Sequence, residues 1–198
     1  MRDDSSAPFT LFRTAPNLLT LLRICIAPFL VVAVLQASYG LAFGLFVAAG
    51  LTDALDGALA RILKQRSMLG QYLDPIADKL LLSTLFLVLM YKKLIPPAVT
   101  VLVFGRDVGI VLVGAILYAA AGRREFSPSY FGKANTLAQI AAVAAVLLYK
   151  VTPVRWVAFL RIGALDATIF LTIFSGLHYA WAASRRIPTP SASADDRK

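Results

Sequence analysis

The sequence predicts an all-α, polytopic membrane protein: a bundle of six transmembrane helices preceded by a short N-terminal interfacial segment. Three observations lead there. The chain has 198 residues and is 59% hydrophobic, with a mean hydropathy of +0.73, an excess that a soluble domain of this size does not carry. Its apolar residues gather into six long runs separated by short polar or basic turns. The basic residues are divided unevenly between alternate turns, as they are in proteins that cross a bilayer.

Residues 1–16 are mixed and Ser/Thr-containing, with Phe9, Leu11 and Phe12 as apolar teeth, and read as the interfacial segment. Leu18–Ala37 forms the first span, with Arg23 about one turn inside its start, where a long side chain can snorkel. A cleavable signal peptide competes for this run. The length of the run, Asp3 and Asp4 ahead of it and the further spans behind it argue against cleavage. Cys25 is the single cysteine; it has no internal disulfide partner and reads as a packed core residue. Ser38-Tyr39-Gly40 is the expected turn into a second span, Leu41–Ile62. The small residues of that span, together with Gly40 and Gly44, read mostly as close helix packing.

A loop carrying Arg61, Lys64 and Arg66 leads to a third span, Gln71–Tyr91, where Pro75 is tolerable in the first turn. Lys92-Lys93 turn the chain into a fourth span, Ile95–Ala121, which holds Arg106 and Asp107. A basic, Pro-containing loop from Gly122 to Lys133 follows, then spans at Ala134–Tyr149 and Ile162–Ala183. Residues 17–186 thus form one membrane domain, and the Pro/Ser/Ala-rich tail 187–198 reads as disordered.

The N-terminal segment, the loops 61–69 and 122–133 and the tail share one side and carry most of the Lys and Arg. The other side has Lys92, Lys93, Lys150, Arg155 and Arg161. The richer side should be cytoplasmic, which puts both termini there, in a protein expected in the cell inner membrane. The net charge of +9 suits anionic lipid headgroups. No basic, aromatic-interleaved patch stands apart from the apolar runs, so a nucleic-acid partner is not expected.

The chemistry is concentrated between Asp53 and Asp78. Four carboxylates, Asp53, Asp56, Asp74 and Asp78, stand in an otherwise apolar and basic chain. Charged side chains in membrane segments cost several kcal/mol each and mark functional sites. Asp53 and Asp56 are spaced i,i+3, and Asp74 and Asp78 i,i+4, so each pair falls on one helix face. In a hairpin about Ile62–Leu69 both pairs lie roughly 8–16 Å from the turn, at cytoplasmic headgroup depth.

Facing carboxylate pairs suit hard cations such as Mg²⁺ or Mn²⁺ and a two-metal site for in-line displacement at phosphorus. A pyrophosphate substrate would complete the ligand set. Arg61 can pair with phosphate oxygens, Gly57 leaves room for a ligand to approach, and one carboxylate can take the proton from an attacking hydroxyl. Ion pairing of the aspartates to Lys79, Arg61 and Arg106 is the competing explanation, but several buried ion pairs in register rarely stabilise a fold. An ion-coupled transporter also keeps carboxylates in the membrane; its site would lie near the midplane on repeated halves, and no repeat is evident here. His178, the only histidine, has no Cys or Glu nearby and reads as interfacial or packed. Asp166 would be structural if Arg161 or Arg106 paired with it.

These residues resemble the CDP-alcohol phosphatidyltransferases. The family pattern D-x-x-D-G-x-x-A-R-x8-G-x-x-x-D-x-x-x-D is complete in Asp53, Asp56, Gly57, Ala60, Arg61, Gly70, Asp74 and Asp78. A looser likeness extends to Pro16-Asn17-Leu18-Leu19-Thr20 with Arg23, to Arg106-Asp107, and to Gly132-Lys133-Ala134-Asn135-Thr136. The resemblance implies a homodimeric six-helix enzyme of phospholipid biosynthesis that moves a phosphatidyl group from CDP-diacylglycerol to an alcohol and releases CMP. It implies metal binding by Asp53, Asp56 and Asp74, with Asp78 as general base that also touches a metal. Gly57, Arg61, Ser67 and Asn17 would contact the CDP-lipid, and Lys133 the acceptor, with Arg123-Arg124 as further candidates. The acceptor is expected to be glycerol-based, glycerol 3-phosphate being the commoner role in this branch. Phosphatidylglycerol, the acceptor of a cardiolipin synthase, is the alternative: Asn135 stands where a second lysine is frequent, and one fewer cation suits a singly charged phosphodiester.

Overall fold

The computed structural model describes residues 15–63, 68–121 and 130–184, and within them the side chains of residues 22–52, 54, 78–112 and 132–178. Six helices and no strand occur among the described residues: α1 (Ala15–Leu35), α2 (Tyr39–Leu63), α3 (Met68–Tyr91), α4 (Pro97–Ala121), α5 (Tyr130–Val151) and α6 (Arg155–Ser184). The expected interfacial segment, apart from its last two residues, and the expected disordered tail lie outside the described residues, as do Arg123 and Arg124.

The helices stop where the backbone chemistry lets them. The α1 stop is a reciprocal cap: the amide of Ala37 donates to Val34 O at 3.0 Å and that of Ser38 to Ala33 O at 2.9 Å, with Ala37 left-handed at φ 58°. This is the Schellman arrangement. It recurs at the end of α3, where Lys93 (φ 59°) donates to Met90 O at 2.8 Å and Leu94 to Leu89 O at 2.9 Å. The turn expected at Ser38-Tyr39-Gly40 is therefore made one step earlier, by Ala37. Ser38 accepts the Ala42 amide at 3.0 Å to start α2, and Gly40 is already helical. The left-handed conformation costs a non-glycine residue about 1 kcal/mol, so Ala37→Gly should raise stability by about 0.5 kcal/mol, read as a higher melting temperature in detergent.

Lys92 Nζ donates to Leu35 O at 3.1 Å, placing a cation on the carbonyl end of α1 where the helix dipole favours it. Pro97 opens α4 at a position where its missing amide costs nothing. Pro153 follows the end of α5 and forbids its continuation.

Packing follows the apolar faces. The first helix lies against both α2 and α3, α5 against α2 and α6, and α4 against α6. The core that fixes them is built from Leu30 and Val34 of α1, Leu85, Phe86 and Leu89 of α3, Ile95, and Val143 and Leu147 of α5, all almost wholly buried. It occupies the half of the bundle where α1 and α3 end, and leaves the other half for polar groups.

Two expectations about small or apolar residues are corrected. Cys25 is exposed on α1 rather than packed. A Cβ added to Gly40, Gly44 or Gly50 would meet nothing within 4 Å, so the close contacts on α2 are made by Ala42 and Ala49, both buried, and not by the glycines.

By length and composition, Gly132–Val151 of α5 and Arg155–His178 of α6 could each cross a membrane, and Leu22–Leu35 and Tyr39–Thr52 are shorter apolar stretches. Large apolar side chains also face outward around the bundle, among them Phe29, Leu41, Val111, Phe159 and Leu177.

Candidate active site

The two acidic pairs fall on separate helices, Asp53 and Asp56 on α2 and Asp74 and Asp78 on α3. Five chain steps separate Leu63 from Met68, so those two helix ends lie within about 18 Å of each other. Counted back from these ends, Asp53 and Asp78 both stand roughly 15 Å along their helices, and Asp56 and Asp74 roughly 10 Å. Both helices pack on α1. The backbone thus gives the two pairs matching depth. Among the four carboxylates, Asp78 alone has a described side chain. Those of Asp53, Asp56, Gly57, Arg61, Asp74 and Asn17 lie outside the described residues, as does Ser67 altogether.

Asp78 forms an ion pair with Arg23 of α1, Arg23 Nη1 donating to Asp78 Oδ1. Here the sequence reading is corrected once. Arg23 does not snorkel to a surface: its side chain is 2% exposed. Among the described residues, Asp78 pairs with Arg23, while Lys79 and Arg106 meet Asp107. A buried guanidinium in an apolar helix must find an anion or it will not stay there, and Asp78 is the acid that α3 brings to it. The side chain of Asp78 remains 39% exposed, so water reaches the pair.

The pair borders a cavity of about 400 Å³ whose wall includes Phe46, Ala49 and Gly50 of α2, Leu82 of α3, and Thr136 and Ile140 of α5. Its lining is mostly apolar, with Arg23, Asp78 and Thr136 as the polar groups. Gly50 contributes open space here. Thr136 is anchored by its hydroxyl, which donates to Gly132 O at 3.2 Å.

A second charged chain ties α3, α4 and α6 together beside this site. Lys79 Nζ reaches Asp107 Oδ1 at 2.5 Å, Arg106 Nη1 donates to the same oxygen at 3.0 Å, and Arg106 Nη2 donates to Ser175 Oγ at 2.9 Å. Asp107 thereby takes up both Lys79 and Arg106. Asn135 is fully buried and accepts the Thr172 hydroxyl at 2.9 Å, so it clasps α5 to α6 and does not line the cavity. Lys133, two residues earlier, is exposed. Asp166 makes no ion pair among the described residues. Arg161 lies over the Tyr149 ring at 4.4 Å, and Arg106 is engaged as above, so neither expected partner joins Asp166.

Sequence reasoning missed Arg23 as the partner of Asp78 and Thr136 as a wall of the cavity. The first had a signal, since an arginine inside an apolar run requires an acid at its own depth. The pair should show in a double-mutant cycle. Arg23→Met and Asp78→Ala, separately and together, should give a coupling of about 1–2 kcal/mol in thermal stability. That is below the value for a fully buried pair, because water reaches Asp78.

The donor set fits a divalent cation in kind. Carboxylate oxygens are the ligands that Mg²⁺ and Mn²⁺ prefer, and two pairs at equal depth on neighbouring helix ends are what a shared site needs.

Residues 13–178 match the family model described as CDP-alcohol phosphatidyltransferase. The chain is 38% identical over 152 residues to a human protein named cardiolipin synthase (CMP-forming), a match covering 68% of this chain and 50% of that one. It is 33% identical over 180 residues to the CDP-diacylglycerol–glycerol-3-phosphate 3-phosphatidyltransferase of Bacillus subtilis, covering 83% and 92%. With a probable phosphatidylglycerophosphate synthase of Mycobacterium tuberculosis H37Rv the identity is 33% over 178 residues, covering 86% and 82%. The chain spans about half the length of the cardiolipin synthases it matches.

Proposed function

The chain belongs to the CDP-alcohol phosphatidyltransferase family, and from that membership we propose that it transfers a phosphatidyl group from CDP-diacylglycerol to a glycerol-based alcohol, releasing CMP, in phospholipid biosynthesis. The observation that carries this reading is the equal depth of Asp53/Asp56 on α2 and Asp74/Asp78 on α3. The cavity beside Asp78 supports it, since an apolar wall under a polar mouth suits a lipid whose phosphates stay near the charged end.

The enzyme spans the bilayer six times as a single domain over residues 17–186, between the interfacial segment 1–16 and the tail 187–198, and works as a homodimer in the cell inner membrane. Support comes from the outward apolar side chains of the bundle. The α6 stretch, for example, is apolar yet only 17% buried, which a water-soluble fold would not tolerate on this scale. Charge asymmetry puts both termini and the aspartates on the cytoplasmic side.

Asp53, Asp56, Asp74 and Asp78 hold two divalent cations, Mg²⁺ or Mn²⁺. When bound, these ions screen the pyrophosphate and stabilise the charge that develops on the leaving phosphate. Arg61 pairs with pyrophosphate oxygens, Gly57 lets the nucleotide approach α2, and Ser67 and Asn17 contact the CDP-lipid. Asp78 takes the proton of the acceptor hydroxyl as its oxygen bonds to the phosphatidyl phosphorus. The phosphorus–oxygen bond to the CMP phosphate breaks, and CMP leaves with that electron pair. Arg23 orients the Asp78 carboxylate toward the acceptor, and Lys133 attracts the acceptor's phosphate.

Glycerol 3-phosphate is the acceptor on this reading, supported by the match along 92% of the Bacillus subtilis relative. One specific observation favours a second reading, phosphatidylglycerol as acceptor: the 38% identity to the human cardiolipin synthase, beside Asn135 in place of a second lysine. Purified protein with CDP-diacylglycerol and Mg²⁺ or Mn²⁺ should release CMP only when glycerol 3-phosphate is added. Release with phosphatidylglycerol alone would move the assignment to the second reading. Ion flux in liposomes with no CMP from any alcohol would replace the enzyme with an ion-coupled transporter.

A further inference from the structure

At the end of the bundle away from the aspartates, a cavity of about 670 Å³ lies between the α3–α4 corner and α6. Asp78 lies midway along α3 and Lys93 just past its end, roughly 20 Å apart, so this is a different place from the candidate active site. Its walls are apolar, with Leu94, Ile162, Leu165 and Ile169 among them, and Lys93, Arg161 and Asp166 are its charged residues.

The five basic residues of this end are used differently. Lys92 caps α1 through Leu35 O, and Lys150 lies over the Tyr39 ring at 5.5 Å; both fasten helices. Arg155 is exposed. Arg161 is steered toward the cavity by its stacking on Tyr149, and its Nε is buried with no hydrogen-bond partner among the described residues. Lys93 is exposed, and its ammonium makes no ion pair or hydrogen bond among them. The left-handed cap at Lys93 delivers this side chain at the corner itself.

We propose that this cavity binds one phospholipid with a net anionic headgroup, taken from the leaflet opposite the aspartate cluster, with its phosphate on Lys93 and Arg161 and the upper part of an acyl chain along α6. The inference rests on the membrane reading given above. A guanidinium and an ammonium at the mouth of an apolar cleft match a phosphate above an acyl chain, and the volume is of ligand size. Asp166 lies roughly 7 Å deeper along α6 than Arg161, so the three charged groups sum to a net positive site. The nitrogen of a zwitterionic headgroup would point outward, past Lys93. No acid occurs there, since residues 36–40, 92–97 and 150–160 contain no Asp or Glu. That arrangement selects against choline and ethanolamine and in favour of an uncharged headgroup beyond the phosphate.

Native mass spectrometry of the detergent-solubilised protein, with palmitoyl-oleoyl phosphatidylglycerol competing against the matched phosphatidylcholine, tests this. Phosphatidylglycerol should be retained at least tenfold over phosphatidylcholine. Lys93→Gln and Arg161→Gln should each remove most of that preference, while Asp166→Asn should increase it. The rise with Asp166→Asn is not expected of a residue with only a structural role. Equal retention of the two lipids, or a preference that survives Lys93→Gln and Arg161→Gln, would overturn the proposal. A preference lost with Asp78→Asn but kept in those two variants would place the lipid at the aspartates and overturn it as well. CMP release measured on the same variants keeps the two ideas apart. Lys93→Gln should leave CMP release unchanged, and a chain that releases no CMP yet binds lipid through Lys93 would sink the catalytic reading alone.

Discussion

Asp78→Asn is expected to lower the rate of CMP release by about a thousandfold or more while the protein still folds, extracts and elutes as the parent does. The size follows from what is removed. A positioned general base contributes roughly 10²–10⁴, and the same carboxylate is proposed to touch a cation. The choice of asparagine follows from the Arg23 contact. Asn retains an oxygen that can accept from the guanidinium, so the buried arginine is not left bare. Asp78→Ala would take that acceptor from a guanidinium that is 2% exposed, at a cost of about 1–2 kcal/mol, and lost activity would then prove nothing about chemistry. Comparing the two variants by melting temperature and by single-turnover CMP formation separates the roles. Asn should lose turnover at nearly full stability, and Ala should lose both. Near-parent turnover in Asp78→Asn would remove Asp78 from the role of base.

The six helices were legible because each apolar run is long and bounded by charge or proline, and those signals are local. Helix ends were less so. The turn after α1 is expected at Ser38-Tyr39-Gly40, yet Ala37 takes the left-handed position. The Schellman bonds to Val34 and Ala33 and the lysine on Leu35 O outweigh a penalty of about 1 kcal/mol. Composition could not reveal this, because two of the compensating contacts are backbone groups and the third comes from 57 residues away.

The same distinction governs the site. The spacing of Asp53, Asp56, Asp74 and Asp78 is a helical periodicity and could be read directly. Arg23 meeting Asp78, or Lys79 and Arg106 converging on Asp107, depends on how α1, α3 and α4 are arranged around one another. Cys25 was placed inside on the premise that apolar means packed. In a bundle whose outer surface is itself apolar, hydrophobicity no longer tells inside from outside, and the exposed Cys25 and the open Gly44 follow from that.

Removal of divalent cation should abolish CMP release completely and should also be visible without any substrate. On the proposed reading, four carboxylates gathered at matching depth would repel one another at neutral pH, and Asp107 has taken up Lys79 and Arg106. Arg23 neutralises one of the four. Bound cations would offset the remaining charge on that reading, which links ion binding to stability. An ion that binds only the folded chain stabilises it by about 2.7 kcal/mol at a hundredfold excess over its dissociation constant. Titrating Mg²⁺ or Mn²⁺ into chelator-treated protein should therefore raise the melting temperature by several degrees, with saturation at the concentrations that restore CMP release. Asp53→Asn and Asp56→Asn should each weaken that rise, and together they should remove it. They should also raise the melting temperature of the ion-free protein, because they relieve the repulsion. This pairing of a gain without ions and a loss with them is what distinguishes a cation site from aspartates that merely pair with nearby lysines and arginines. In the latter case both substitutions would destabilise the protein whether or not ions were present, and added Mg²⁺ would act only as a screening salt.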